Sequence, residues 1–341
     1  MSRSFALGAL LALCLLALPA QAESWPRTVA DSLRRLVTLS RPPQRVIALG
    51  GSAGDALRVL RATDLLVGVS QRIRNDPAYW GALSALPSVG RWNVPNLEAI
   101  ANLHPDLVIT YGGNPSPGLD ERLGELGIVV LRLGLTRLST LEAELTDLGR
   151  ALGREQTAAQ FLAWHRAELE RIRSLVATTT KRPRAYLETP SDFKAWGASS
   201  NWHLMAQTAG LANIGQEVAA SRADVAPEWV VAADPALLVK TLLARGSYPC
   251  PDPERLPRAR AALLARPGFG QVAAVRQGRA LVLAGEFLGN LGTAVAVAHL
   301  TAFAHPEMAE QVDAPAVQRE FLARFLGLRE SACLAYSGEQ P

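Results

Sequence analysis

The chain has 341 residues, of which 49% are hydrophobic, 19% are charged and 3 are Cys, a composition that excludes disordered, collagenous and disulfide-scaffold proteins. At about 100–200 residues per domain the length implies roughly two domains, each able to bury a core. The net charge of +4 arises from 35 basic and 31 acidic residues spread along the chain, with no run of like charge to serve as a nucleic-acid or membrane patch. Only Lys181, Lys194 and Lys240 are lysines; the other fixed cations are Arg, whose planar forks suit a bidentate grip on carboxylate-like groups.

Arg3, the apolar run FALGALLALCLLAL over residues 5–18 and the segment Ala20-Gln21-Ala22 supply the positive start, the core and the small-x-small cleavage site of an export leader. The run is shorter than the roughly 18 apolar residues needed to span a bilayer. Residues 1–22 are therefore expected to be removed, Cys14 with them, leaving a soluble product outside the cytoplasm. Cys250, in the Pro-rich stretch SYPCPDPERLP, and Cys333 remain, and an oxidising compartment would pair them as a staple for the tail.

From residue 45 short β-branched runs alternate with helical stretches, the pattern of parallel βα units. RVIAL (45–49), LLVGV (65–69), DLVIT (106–110) and IVVLR (128–132) read as buried strands. PNLEAIANL opens a helix at Pro95 that breaks at His104-Pro105, as the restriction before proline requires. After residue 180 the alternation restarts with RAYLE (184–188), ALLVK (236–240) and RALVL (279–283), with helical stretches at 201–211 and 290–304.

Between these halves, residues 154–177 hold no Gly or Pro, and Ala158, Leu162, His165, Leu169, Ile172 and Val176 recur at gaps of four and three. That stripe predicts one helix of about 36 Å, with His165 packed on it rather than acting as a ligand. The expected organisation is a leader (1–22), an N-terminal α/β lobe (23–150), a linking helix (151–180), a C-terminal α/β lobe (181–330) and a tail (331–341). A helical bridge bends less readily than a loop, so the lobes should move little.

In parallel sheets, ligands collect beyond the carboxyl ends of the strands. RVIAL runs into Gly50-Gly51-Ser52, LLVGV into Ser70-Gln71-Arg72, and DLVIT into Tyr111-Gly112-Gly113-Asn114. In the second half RAYLE runs into Thr189-Pro190-Ser191-Asp192, and RALVL into Gly285-Glu286-Phe287. Lobes facing each other through these ends would line one cleft. Sequence patterns for a G-x-S-x-G elbow, an H-E-x-x-H pair, a Walker loop and paired C-x-x-C sites are missing, which argues against an enzyme. GGSAG lacks the G-x-G-x-x-G spacing of a dinucleotide loop. His104, His165, His203, His299 and His305 are scattered, so a bound transition metal would need several to converge from separate loops.

Trp92, Tyr111, Trp196, Trp202 and Phe287 sit beside Gly or Asn or at strand ends. Aromatic side chains offer flat contact surfaces with few rotors to freeze, which suits a bulky, partly planar ligand. Trp92 and Tyr111 have the neighbours least compatible with a core.

The stretch PSVGRWNVPNLEAIANLHPDLVITYGG resembles the signature of the periplasmic binding proteins that deliver iron-siderophores, cobalamin and haem to ABC importers. RPPQRVIALGGSAGDALRVLRATDLLVGV is similar to that family's first strand and helix, and HLMAQTAGLANI to its aliphatic segment after the linker helix. APEWVVAADPALLV and GQVAAVRQGRALVL match its remaining C-terminal landmarks. The resemblance covers about residues 40–327 and implies an α/β fold of two Rossmann-like lobes joined by a single long rigid α-helix. It also implies a monomeric periplasmic binding protein, not an enzyme, without an intrinsic cofactor, that captures an iron- or cobalt-containing chelate and hands it to a permease dimer.

Carried over by motif position, Glu98 in PNLEAI and Glu228 in APEWVVAADP are the residues that dock onto permease arginines. Trp92 matches the Trp that packs on the corrin in the cobalamin-binding branch, although EVAASRADVAPEWV lacks the Trp that this branch carries ahead of its docking Glu. Tyr79 lies near the Tyr used by haem binders. Arg72, Arg74, Arg91 and Arg222 offer counter-charge to an anionic ferric siderophore. The expected guests rank iron-siderophore, then corrinoid, then haem, walled by Trp92, Tyr111, Trp196, Trp202 and Phe287 and neutralised by Arg91 and Arg222. Two competing expectations are a secreted binder of a bare transition-metal ion, held by His203 and carboxylates, and an extracytoplasmic enzyme or sensor-associated domain on a similar scaffold.

Overall fold

The computed structural model describes residues 25–113, 116, 118–243, 248–329 and 332–338; the expected leader and Asn114 lie outside them. The chain first forms a hairpin of β1 (Arg27–Ala30) and β2 (Leu36–Leu39), in a stretch where no element is predicted. The Arg27 guanidinium donates to the Arg150 carbonyl at 2.7 Å and pairs with Glu155, tying the hairpin to the start of the linking helix.

The N-terminal lobe continues with β3 (Val46–Ala48), β4 (Leu66–Val69), the short strands β5 (Gly90–Arg91) and β6 (Val94–Pro95), β7 (Leu107–Thr110) and β8 (Val129–Arg132). The order β4-β3-β7-β8 makes one wholly parallel sheet, and β5 and β6 form a separate hairpin. All four residues of β7 are buried, because both faces of a parallel sheet are covered, and its sequence is accordingly an unbroken apolar run.

The C-terminal lobe contains β9 (Arg184–Glu188), β10 (Lys194–Trp196), β11 (Ala212–Asn213), β12 (Arg222–Asp224), β13 (Leu237–Leu242), β14 (Ala280–Ala284) and β15 (Ala335–Tyr336). They lie in the order β12-β10-β9-β13-β14-β15, with β11 also on β9. β9, β11, β13 and β14 run parallel; β10, β12 and β15 are antiparallel to their neighbours. β13 continues past the predicted end at Lys240 because the buried ammonium is neutralised in place: Nζ donates to Glu188 at 2.7 Å and to Asp192 at 2.8 Å. Part of the expected tail belongs to this lobe, since Ala335 and Tyr336 form the edge strand on β14. A two-residue strand is too short to leave a period in the sequence. Cys250 and Cys333 are disulfide-bonded, with Cα atoms 5.3 Å apart.

The linking helix, Glu155–Ala177, has 23 residues and is about 35 Å long. Its predicted apolar stripe is buried, and so are Phe161 and Trp164 beside it. Trp164 stacks on Phe321 at 5.9 Å and Phe161 meets Phe325 edge-on at 5.1 Å, so the C-terminal helical segment clasps the bridge. Asn201, first residue of the helix Asn201–Thr208, accepts from Leu138 N at 2.8 Å and donates to the Thr136 carbonyl at 2.6 Å. These bonds link the lobes directly, alongside the helix.

Candidate functional site

Beyond β3 the chain enters the helix Gly51–Val59, which has no side-chain cap at its N-terminus. Beyond β4 it passes through a short helix, Gln71–Arg74, to Asp76, which caps the next turn, Pro77–Trp80, by accepting from Tyr79 N at 3.3 Å. Capping and Pro77 fix the direction of that turn and so aim Tyr79 and Trp80 at the first helix. The Tyr79 hydroxyl donates to Asp55 Oδ1 at 2.6 Å. The Trp80 ring lies against Gly54, where a Cβ would sit 2.8 Å from it, so this approach needs glycine. Arg58 donates to the Tyr79 carbonyl at 2.6 Å, and its guanidinium lies 4.7 Å over the Tyr79 ring and 4.5 Å over the Trp80 ring.

This block sets the electrostatics of the cleft floor. Asp55 is only 8% exposed. Burial pushes its carboxyl up to about 6, opposed by the Arg58 charge, the Tyr79 hydrogen bond and the Arg72 charge. Burial, followed by the Asp55 charge, pushes the Tyr79 hydroxyl well above the ordinary tyrosine range. The phenol therefore keeps its proton and gives it to Asp55 as a hydrogen bond.

The walls come from both lobes. Trp92, at the turn between β5 and β6, meets Tyr111, just after β7, edge-on at 5.9 Å, and each is 41% exposed. On the opposite side stand Phe287, in the short helix Gly285–Leu288 after β14, with Tyr248 and Asn290. Tyr79 meets Phe287 edge-on at 5.6 Å and Tyr248 at 6.1 Å, closing the bottom between the lobes. Tyr248 is itself held, its hydroxyl accepting from Arg329 N at 3.3 Å. The space so bounded is an open cleft of about 350 Å³, also lined by Ser52, Arg72 and Asp76.

Of the wall residues nominated from sequence, Trp92, Tyr111 and Phe287 line this cleft. Trp196 and Trp202 do not, and the correction has a local cause. Gly197 beside Trp196 serves close packing of strand segments, since a Cβ there would lie 2.1 Å from the Ala220 carbonyl. Ser200 and Asn201 serve the helix start and the lobe contact. Trp202 is thereby turned into the core, and the Trp196 indole donates to Thr241 Oγ1 at 3.1 Å. Arg91 and Arg222 are also corrected: both are exposed on edge hairpins or strands, outside the cleft lining. Arg72 is in the lining, whereas Arg74 spans to the Ala85 and Leu86 carbonyls at 3.1 and 3.0 Å and holds a loop.

Glu98 and Glu228 are exposed in the first turns of the helices Leu97–Asn102 and Pro227–Ala233, one on each lobe. His203 is buried with Nδ1 3.4 Å from Asn213 Nδ2, and no group of three or more His, Cys, Asp or Glu converges among the described residues. Sequence reasoning missed Asp55, Asp76, Trp80, Tyr248 and Asn290. Asp55 did leave a signal, an acid among Ala53, Ala56 and Leu57 on the buried face of its helix, where an unpaired charge is costly and so functional placement is the economical explanation.

Residues 46–286 match the family described as "Periplasmic binding protein". The chain is 29% identical over 223 residues to a cobalamin-binding protein of Halobacterium salinarum, covering 64% of this chain and 59% of that one. It is 29% identical over 165 residues to a vitamin B12-binding protein of Yersinia pestis, covering 48% and 57% respectively. The chain thus spans less than two thirds of the length of these curated relatives. Among solved structures, the TroA-like periplasmic binding protein FepB from Veillonella parvula superposes with a TM-score of 0.75 at 21% identity, over 92% of this chain and 100% of that one, a likeness of fold.

Proposed function

We propose a ligand-capture role on one premise: the chain belongs to the periplasmic binding protein family. It is a binding protein and not an enzyme. In this reading it is exported by cleavage after Ala22, captures a corrinoid between its lobes in the periplasm and presents it to an ABC permease. The observation that carries the reading is the composition of the cleft: aromatic rings from both lobes over a floor containing a buried carboxylate. Flat rings match a macrocycle. A volume of about 350 Å³ is at the small end for ligand sites, so the cleft grips a face and edge of so large a guest and leaves the remainder in solvent.

Charge reverses the order expected from sequence. Asp55 and Asp76 stand in the lining against Arg72, with Arg91 and Arg222 elsewhere, which disfavours a polyanionic ferric siderophore. Haem ligation through Tyr79 is disfavoured too, because that phenol is protonated and committed to Asp55. Corrinoids carry neutral carboxamides around a flat ring, and the names of the two curated relatives point the same way. Glu98 and Glu228, exposed on separate lobes, are the proposed docking contacts, where rim charges orient and speed association more than they tighten it.

A thermal-shift panel of cobinamide, cobalamin, ferric siderophores and haem tests this reading. A guest at 100 times its Kd stabilises the fold by about 2.7 kcal/mol. The corrinoids should give that shift, and a Glu98→Ala/Glu228→Ala double variant should keep it while losing cellular uptake. A shift with siderophore or haem alone contradicts the ligand assignment, and normal uptake by the double variant contradicts the docking assignment.

A further inference from the structure

Asp55 is more than nine-tenths buried yet lines the cleft. Its only hydrogen bond among the described residues comes from the Tyr79 hydroxyl to Oδ1, which leaves Oδ2 without a partner. Because Asp55 lines the cleft, Oδ2 is open to solvent there and stands ready for a donor that a ligand brings. No neighbouring group donates to it among the described residues. Arg58, the nearest cation on the same helix, is engaged with the Tyr79 carbonyl and the two aromatic faces. Tyr79 spends its only proton on Oδ1.

We propose that Asp55 is the specificity residue of this cleft: its unshared oxygen accepts a peripheral carboxamide N–H of the guest and rejects the corresponding carboxylate. The proposal rests on the corrinoid reading and adds to it a chemical criterion for choice. An ionised Asp55 accepts from an amide but repels a second carboxylate brought within contact, and like charges face each other at a heavy cost where water is scarce. A macrocycle seated against Trp92, Tyr111 and Phe287 places its edge, where such side chains project, toward the floor.

The experiment compares cobinamide with its separable mono-acids, each having one peripheral amide hydrolysed, by calorimetric titration of the full chain. At about pH 8, wild type should prefer cobinamide over at least one mono-acid by about tenfold or more. That preference should shrink as pH falls through about 6, where Asp55 takes up a proton and becomes a donor itself. The charged and titratable groups facing Asp55 are Arg58, Arg72, Tyr79 and, across the lining, Asp76. Asp55→Asn should bind both forms alike at either pH, since an amide side chain can accept or donate, whereas Asp224→Asn, at an exposed carboxylate outside the cleft lining, should keep the wild-type preference and its pH dependence. Asn also preserves an acceptor for Tyr79, so the fold is retained, and the wild-type pH series needs no variant at all. Wild type that binds cobinamide but discriminates against no mono-acid overturns the proposal and leaves the corrinoid reading standing. Wild type that binds no corrinoid overturns both.

Discussion

His165 illustrates how a single buried side chain sets a stability window. It lies on the inner face of the linking helix, its Nε2 2.8 Å from Thr293 Oγ1, and burial holds its imidazole down at about 4. The folded protein therefore keeps His165 neutral while the unfolded chain takes up a proton near the ordinary value of about 6.5. The associated stability is complete above about pH 6.5 and is lost as pH falls toward 4, a difference of about 3 kcal/mol. Chemical denaturation across this range should give His165→Gln a curve flatter than wild type by close to one proton; parallel curves would contradict the assignment. His165 was legible as a packed residue because its helix repeats over six turns. Trp92 and Tyr111 were legible too, since strand ends and glycine neighbours left them no core to enter. The same cue failed at Trp196 and Trp202, where glycine answers to backbone crowding, and the arginine tally failed because charge alone does not say which way a side chain faces.

At the scale of elements, local signals and long-range ones part company. β7 and β14 are buried along their whole length and could be read directly. β13 hides its last two residues from a hydropathy reading because Lys240 depends on Glu188 and Asp192 from a different segment. β1 and β2 also left no signal, being short, half-exposed and stabilised by docking. The wall residue Tyr248 is defined by still more distant contacts: it lies two residues before Cys250, and its hydroxyl meets Arg329 N near Cys333. The disulfide closes a sequence separation of 83 residues, a constraint on the unfolded chain typically worth about 2–4 kcal/mol. Cys250→Ser/Cys333→Ser should lower unfolding stability by that amount and weaken cobinamide binding several-fold through Tyr248. An unchanged melting temperature together with unchanged affinity would rule out a stapling role for this bond.

For the whole molecule, periodicity was enough to foresee two α/β halves and the helix between them, because each is a repeated local pattern. The cleft was legible only as a possibility, since its floor depends on Tyr79 reaching Asp55 and its bottom on Tyr79 meeting Phe287 and Tyr248 across the lobes. No spacing rule encodes such contacts. The linking helix and the Asn201 bonds hold the two walls in a fixed relation, which favours a guest gripped by a preformed site over one enclosed by large lobe movement.

In the proposed function one corrinoid is held simultaneously by both lobes. Calorimetric titration of cobinamide into wild type, Trp92→Ala and Phe287→Leu tests it most directly, with melting curves confirming that each variant is folded. The structure predicts one guest per chain and a loss of affinity of about tenfold or more from either lobe's substitution. A guest that ignores the Phe287 change, or a wild type that gives no saturable heat with cobinamide, would contradict it.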